Sequence, residues 1–225
     1  VRTMHGSLVA VLKMFRPDCH VTTRLPQYVK PDLYTPNDND VEAIIRATQG
    51  TELFKAILLS AFGSLRRSEI AKLPADRMQG QLLYVLKAMV EGPEHIWIIK
   101  DPKTKAGKRV VEFSAEIAAH FTSTNGYLCD LEPNQITRQF ERLLKRLDIP
   151  HFRFHDLRHY QASILHALGV PDQYIMERGG WETEEVMKRV YRDALPNMTT
   201  AAAQIGNAHF TRILGNATGQ DEKST

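Results

Sequence analysis

Three short runs of apolar, partly β-branched residues, Leu82–Leu86, His95–Ile99 and Arg109–Phe113, interrupt a chain whose other apolar residues recur at helical spacing. Runs this short, bounded by Gly92-Pro93 and Ala106-Gly107, read as strands and as nothing longer. The simplest arrangement is one small three-stranded antiparallel sheet. A sheet of that size needs helices packed on it to be stable. The fold class expected is therefore α+β, mostly α-helical.

The helical signal surrounds the strands. Met4, Leu8, Val11, Leu12 and Phe15 predict a helix over 3–15 that stops at Arg16-Pro17-Asp18. Pro26, Pro31 and Pro36 make the next segment extended. Thr35-Pro36 predicts a helix start, with Thr as N-cap and Pro in the first turn. A second helix is predicted over 51–62, broken by Gly63-Ser64, with helical spacing resuming from Arg67 to Leu73. After Phe113, helices are predicted over about 114–122, 133–147, 156–168, 172–178, 183–192 and 197–212.

Composition narrows the function classes. With 43% hydrophobic and 24% charged residues, the chain can bury a core, which excludes collagen-like, disulfide-scaffold and wholly disordered classes. Cys19 and Cys129 fit no metal-ligand or disulfide spacing and read as two thiols in a reducing compartment. No apolar run approaches the roughly 20 residues that span a bilayer. No charged leader precedes a long apolar stretch, so no signal peptide is expected, and the opening on Val1 is that of a fragment or processed product. The expected location is cytoplasmic. The formal charge is only +3, but it is unevenly placed. Lys100, Lys103, Lys105, Lys108 and Arg109 form one basic cluster; Arg138, Arg142, Lys145, Arg146, Arg153 and Arg158 form another. Such local density suits a polyanion.

Four segments hold the chemistry: Leu65-Arg66-Arg67-Ser68-Glu69-Ile70 at a helix restart, the hairpin Pro102–Arg109, His155-Asp156-Leu157-Arg158-His159-Tyr160, and Gly179-Gly180-Trp181 with Tyr191 ten positions on. His151, His155 and His159 fall at i, i+4 and i+8. Pro150 and Phe152-Arg153-Phe154 put the helix start near His155, however, so only two of them share a face, and no metal site is expected. Each segment alone has a structural explanation: an arginine paired with Glu69, a solvated lysine turn, an aromatic anchor, a packing tyrosine.

In this order and spacing, the set resembles the tyrosine recombinases, the phage integrase family, over about residues 36–213. The resemblance implies that family's catalytic-domain fold. It implies a truncated end of an N-terminal core-binding domain over 1–20, a linker over 21–35, a catalytic domain with its C-terminal helix over 36–214, and a tail over 215–225. It assigns Arg66 and Arg158 to grip the scissile phosphate, Lys103 as the hairpin acid, His155 as the histidine of His-x-x-Arg, Trp181 at a position that is His or Trp in the family, and Tyr191 as nucleophile. Glu69 matches an acidic position beside the first arginine, and Lys105 competes with Lys103 for the hairpin role. Two departures stand out: Gly63-Ser64 replaces the usual Thr-Gly, and Gly179-Gly180-Trp181 replaces the usual Leu-Gly-His. A tryptophan donates one N–H and cannot titrate.

The implied activity is a site-specific recombinase or integrase of a phage or mobile element, joining strands through a 3′-phosphotyrosine. It implies double-stranded DNA sites as partners, a homotetramer on DNA passing through a Holliday junction, a monomer when free, possible accessory DNA-bending or directionality proteins, and no cofactor. Lys105, Lys108, Arg109, Arg138 and Arg153 are the expected DNA contacts. Two alternatives stay open: a non-catalytic DNA-binding module of the same fold, and a type IB topoisomerase-like activity.

Overall fold

The structure, a computed structural model, describes residues 2–18, 20–27, 34–102, 105–123, 125–185 and 187–188. Lys103, Cys19, Tyr191 and the helix expected over 197–212 lie outside these. The chain divides into two units, Val1–Leu33 and Tyr34–Thr225. The first holds helix α1 (Arg2–Phe15), on which Met4, Leu8, Val11, Met14 and Phe15 are all exposed.

In the second unit, helix α2 (Asp38–Thr48) starts two residues later than Thr35-Pro36 predicts. Asn37 is the N-cap: its side chain accepts from the Asp40 N–H, while Asp40 accepts from the Asn37 N–H at 2.9 Å and from the Tyr34 hydroxyl at 2.6 Å. That reciprocal cap satisfies two end groups at once, which Thr35 cannot do. Helix α3 (Glu52–Ala61), capped by Thr51, is buried at every position from Ala56 to Ala61 and forms the centre of the core. Helix α4 (Arg67–Ile70) is one turn only. The expected continuation to Leu73 ends because Lys72 takes a φ of 49° and the chain turns into strand β1 (Leu73–Pro74).

The strands that follow are β2 (Met78–Gln79), β3 (Leu82–Val85), β4 (Ala88–Glu91), β5 (Trp97–Lys100) and β6 (Arg109–Glu112). A three-stranded antiparallel sheet is present, but its members differ from those predicted: the order is β2-β3-β6, and β5 pairs with β4 in a separate hairpin. Closing a loop from 92 to 96 needs less chain entropy than bringing β5 back to β3, so the local partner wins. Glu94 and His95 take positive φ to make that turn. The register pairs Leu83 with Val111 and Val85 with Arg109, and strand alternation puts these four on the inward face.

After β6 come α5 (Ala115–Ala118), β7 (Tyr127–Cys129), α6 (Pro133–Arg146), α7 (Asp156–Ala167) and α8 (Asp172–Gly179). Strand β7 pairs antiparallel with β1. Helix α6 buries Ile136, Phe140, Leu143 and Leu144, one helical stripe, and Phe140 meets Phe152 and Phe154 edge to face at 5.3 and 5.4 Å. Those rings fix the loop that delivers His155 to the start of α7. Residues 184, 185, 187 and 188 of the helix expected over 183–192 are helical. Among the described residues, no helix is long and apolar enough to cross a membrane.

Candidate active site

The turn between α3 and α4 sets the first half of the site. Gly63 packs so closely that a Cβ would lie 2.6 Å from the Phe113 ring and 2.7 Å from the Leu59 carbonyl. Ser64 then takes a φ of 57°, the left-handed conformation that glycine adopts freely and that costs other residues about 1–2 kcal/mol. This bend turns the Ser64 carbonyl inward and leaves Arg66 as the N-cap of α4. Glu69, buried, reaches back: one carboxylate oxygen accepts from the Arg66 N–H at 2.8 Å, the other from Arg66 Nη1 at 2.6 Å. Arg66 Nη2 donates to the Gly180 carbonyl at 2.7 Å. Arg66, with Arg67, Ser68, His151, Arg153 and His155, lines a groove of about 500 Å³.

Helix α7 supplies the second half. Arg158 is 1% exposed. Its Nη1 donates to the Ser64 carbonyl, its Nε has no hydrogen-bond partner, and its guanidinium lies over the Trp181 ring, 4.0 Å from the centroid. Among the described residues, no carboxylate stands within ion-pair distance of Arg158. Burial pushes its pKa down, to about 8, with repulsion from Arg66 and Arg109 adding to this and Glu69 opposing it; the group stays cationic at neutral pH. His155 is the residue before α7, and its ring meets that of His159 edge to face at 4.7 Å. Desolvation first, then His159 and Arg158, hold the His155 pKa down to about 4. His155 is exposed at the groove, and its imidazole is neutral at pH 7.

Trp181 is 7% exposed, at the end of α8. Gly180 caps that helix with a φ of 63°, and a Cβ there would lie 2.6 Å from the Ala106 carbonyl. Gly180 thus lets the chain approach the turn before β6, and at Gly179 a Cβ would lie 1.9 Å from the Trp181 ring, so glycine there leaves room for the indole that lies against Arg158.

The structure brings Arg66, Glu69, His155, Arg158 and Trp181 together. Lys103 and Tyr191 lie outside the described residues, and Lys105 begins the 3-10 turn Lys105–Gly107. Lys108 is on the surface, 3.0 Å from Asp101; Arg138 is exposed; Arg153 is exposed and pairs with Asp156 at 2.8 Å. Arg109 is a correction. Expected to contact DNA, it is 7% exposed and bonded to Glu69 at 2.9 and 3.1 Å. Strand alternation carried the signal: Arg109 shares the inward face of β6 with Val111. Sequence reasoning also missed the carbonyls of Ser64 and Gly180, because main-chain acceptors leave no mark in residue type. Two other nucleophile candidates are disabled. The Tyr160 hydroxyl donates to Asp38 at 2.7 Å, and burial with this bond raises its pKa. Burial pushes the Cys129 thiol up to about 12.

A sequence profile of the phage integrase family matches residues 37–198. The chain belongs to the phage integrase family. Relatives of this integrase-family chain include the integrase of Salmonella phage P22, 44% identical over 70 residues, which are 31% of this chain and 18% of that protein. The XerC-like tyrosine recombinase of Caldanaerobacter subterraneus is 23% identical over 81% of this chain and 56% of its own length. The chain thus spans well under two thirds of these curated relatives. Among solved structures, the Tn1549 transposon integrase in complex with a circular intermediate DNA superposes with a TM-score of 0.65 at 17% identity, covering 82% of this chain and 68% of that one. The catalytic domain of bacteriophage HP1 integrase gives 0.55 at 18% identity, over 76% and 94%. The fold is the tyrosine-recombinase catalytic fold, α+β and rich in helix.

Proposed function

We propose that this chain is the DNA strand-transferring part of a site-specific tyrosine recombinase. The observation that carries this is the buried Arg158: Glu69 pairs with Arg66 and Arg109, which leaves Arg158 a buried cation without an ion-pair partner among the described residues, next to Arg66 at the edge of an open groove. Buried charge without a partner is costly, and an anion supplied by a ligand relieves it. A DNA phosphodiester carries one negative charge, and its pentavalent transition state concentrates charge on the non-bridging oxygens. Arg66 and Arg158 bind those oxygens through planar donor forks.

In the proposed reaction, the Tyr191 oxygen attacks the scissile phosphorus. A phosphotyrosine bond to the 3′ side forms as the bond to the 5′-oxygen breaks. The phenol must lose a proton, since it titrates near 10 when unperturbed. Neutral His155 keeps a nitrogen lone pair to accept it, and phosphate in the groove raises the affinity of that ring for the proton. Lys103 gives a proton to the departing 5′-oxygen, with Lys105, two residues on, the alternative. The phosphotyrosine conserves bond energy, so a new 5′-hydroxyl reseals the strand without a nucleotide cofactor.

Helix α1 is read as part of a core-binding domain, 21–35 as linker, and the partners as two recombination sites bridged by a tetramer of protein that is monomeric when free. Lys105, Lys108, Arg138 and Arg153 serve as backbone contacts. The test is covalent capture on a pool of nicked duplexes randomised around the nick, in excess EDTA. A protein–DNA adduct is expected, lost in Tyr191→Phe while DNA binding persists. A strict metal requirement, or an adduct mapped to Tyr160 or Tyr174, would overturn the reading.

A further inference from the structure

Arg109 has all five of its N–H donors engaged. Nη1 and Nη2 grip the two oxygens of Glu69; Nη2 also donates to the Ser64 carbonyl at 3.2 Å, Nη1 to the Gly107 carbonyl at 3.3 Å, and Nε to the Arg178 carbonyl at 2.7 Å. These partners belong to the segments that carry the phosphate-binding groups. Glu69 holds the Arg66 guanidinium and its N–H. The Ser64 carbonyl is the acceptor that also receives Arg158. Arg178 lies on the last turn of α8, two residues before Gly180, whose carbonyl accepts from Arg66. Gly107 ends the 3-10 turn that leads into β6.

We infer that Arg109 is a positioning residue: it sets the placement of Arg66 relative to Arg158, acting through Glu69 and the Ser64 carbonyl and never touching DNA. The inference rests on the recombinase reading above. Three physical points carry it. The side chain is inaccessible and has no donor left for a phosphate. A buried ion pair is a poor device for stability alone, since apolar replacements often serve as well; here the pair is a junction of four segments. Finally, without Arg109 the Glu69 carboxylate would have only Arg66 to neutralise it and would draw that guanidinium away from the groove. A lysine keeps the charge but is a compact ammonium, which cannot span a carboxylate and three carbonyls in one plane.

The experiment compares the full chain with Arg109→Lys and Glu69→Gln. It measures single-turnover adduct formation on nicked duplexes selected as above, with either a phosphodiester or a methylphosphonate at the cleavage point. Methylphosphonate replaces one charged non-bridging oxygen with methyl, so the reaction depends less on the arginine grip. Duplex affinity and melting temperature are read alongside. With duplex affinity held within twofold, Arg109→Lys is expected to slow adduct formation on phosphodiester roughly 10- to 100-fold, the scale of a misplaced reacting group. The loss on methylphosphonate should be below threefold. If Arg109→Lys melts below the assay temperature, Glu69→Gln reads the same coupling with Arg109 in place, and the same selective loss is expected. Equal losses on the two substrates, or no loss on phosphodiester, would overturn the inference. A wild-type chain that forms no adduct would overturn the recombinase reading itself, and this inference with it.

Discussion

Replacing Gly180 by alanine tests how the site is held, because the residue is tight for two separable reasons. Its φ of 63° lies in the left-handed region, where a Cβ costs about 1–2 kcal/mol. The new Cβ would also lie 2.6 Å from the Ala106 carbonyl oxygen and 3.1 Å from Arg109 Nη1. The first of these is backbone and the second is anchored by Glu69, so neither can swing aside; overpacking of this kind costs about 1–3 kcal/mol. Together Gly180→Ala should destabilise by about 2–5 kcal/mol. Gly50 is the control: its φ is 76°, but nothing lies within 4 Å of an added Cβ, so Gly50→Ala should show the conformational cost alone. For a chain of this size each kcal/mol lowers the melting temperature by about 2–4 °C, so Gly180→Ala should melt about 2–12 °C below Gly50→Ala by circular dichroism. Since Arg66 bonds the Gly180 carbonyl, adduct formation should fall as well, and Gly50→Ala should leave it unchanged. Coincident melting curves for the two variants would refute the close approach of the turn before β6 to Gly180.

Three further outcomes are expected. Neutralising Lys105 and Lys108 together should flatten the dependence of log DNA affinity on log salt by about two units, at about 0.9 per phosphate contact; an unchanged slope would mean this turn faces away from DNA. Environment holds both His155 and His159 down to about 4 in the folded chain, so as pH falls below 6.5 the unfolded chain takes up protons first. The stability linked to these rings is complete above pH 6.5 and is lost as pH falls toward 4; His159→Gln should make urea midpoints fall less over that interval, and an identical acid limb would show an ordinary imidazole. Deleting 197–225 should spare binding to one half-site and abolish recombination between two sites, whereas normal recombination would show that the segment serves only its own subunit.

The sequence was most legible where one period or one cap dominates. Thr51 and the all-round apolar run after it place α3, and His155-Asp156 places the start of α7. Strand pairing was less legible, because Ala88–Glu91 has little β-branching and the partner of Trp97–Lys100 depends on loop entropy. At the site, residue types and order brought out Arg66, His155, Arg158 and Trp181. Arg109 was misjudged because charge density along the chain ignores the face on which each charge stands. Its register opposite Val85 decides that, and register is a property of two strands together. The Ser64 bend was visible only as a departure from Thr-Gly; that a serine adopts the backbone conformation of a glycine there is a matter of φ.

The Ser64 carbonyl, which receives both Arg109 and Arg158, has a consequence for how such a protein can change. The acceptor is main chain, so scanning position 64 through other amino acids leaves the oxygen in place. Glycine, which tolerates the left-handed region and fits this fully buried position, can exchange there while two cations stay anchored to the same lone pairs. Removing the anchor takes a change of the linkage itself. An ester in place of the peptide between residues 64 and 65 makes a weaker acceptor of that oxygen, also removes the Leu65 N–H that donates to the Leu59 carbonyl, and leaves every side chain untouched. An essential element of this site can therefore lie beyond the reach of ordinary mutagenesis while the letter written at its position drifts.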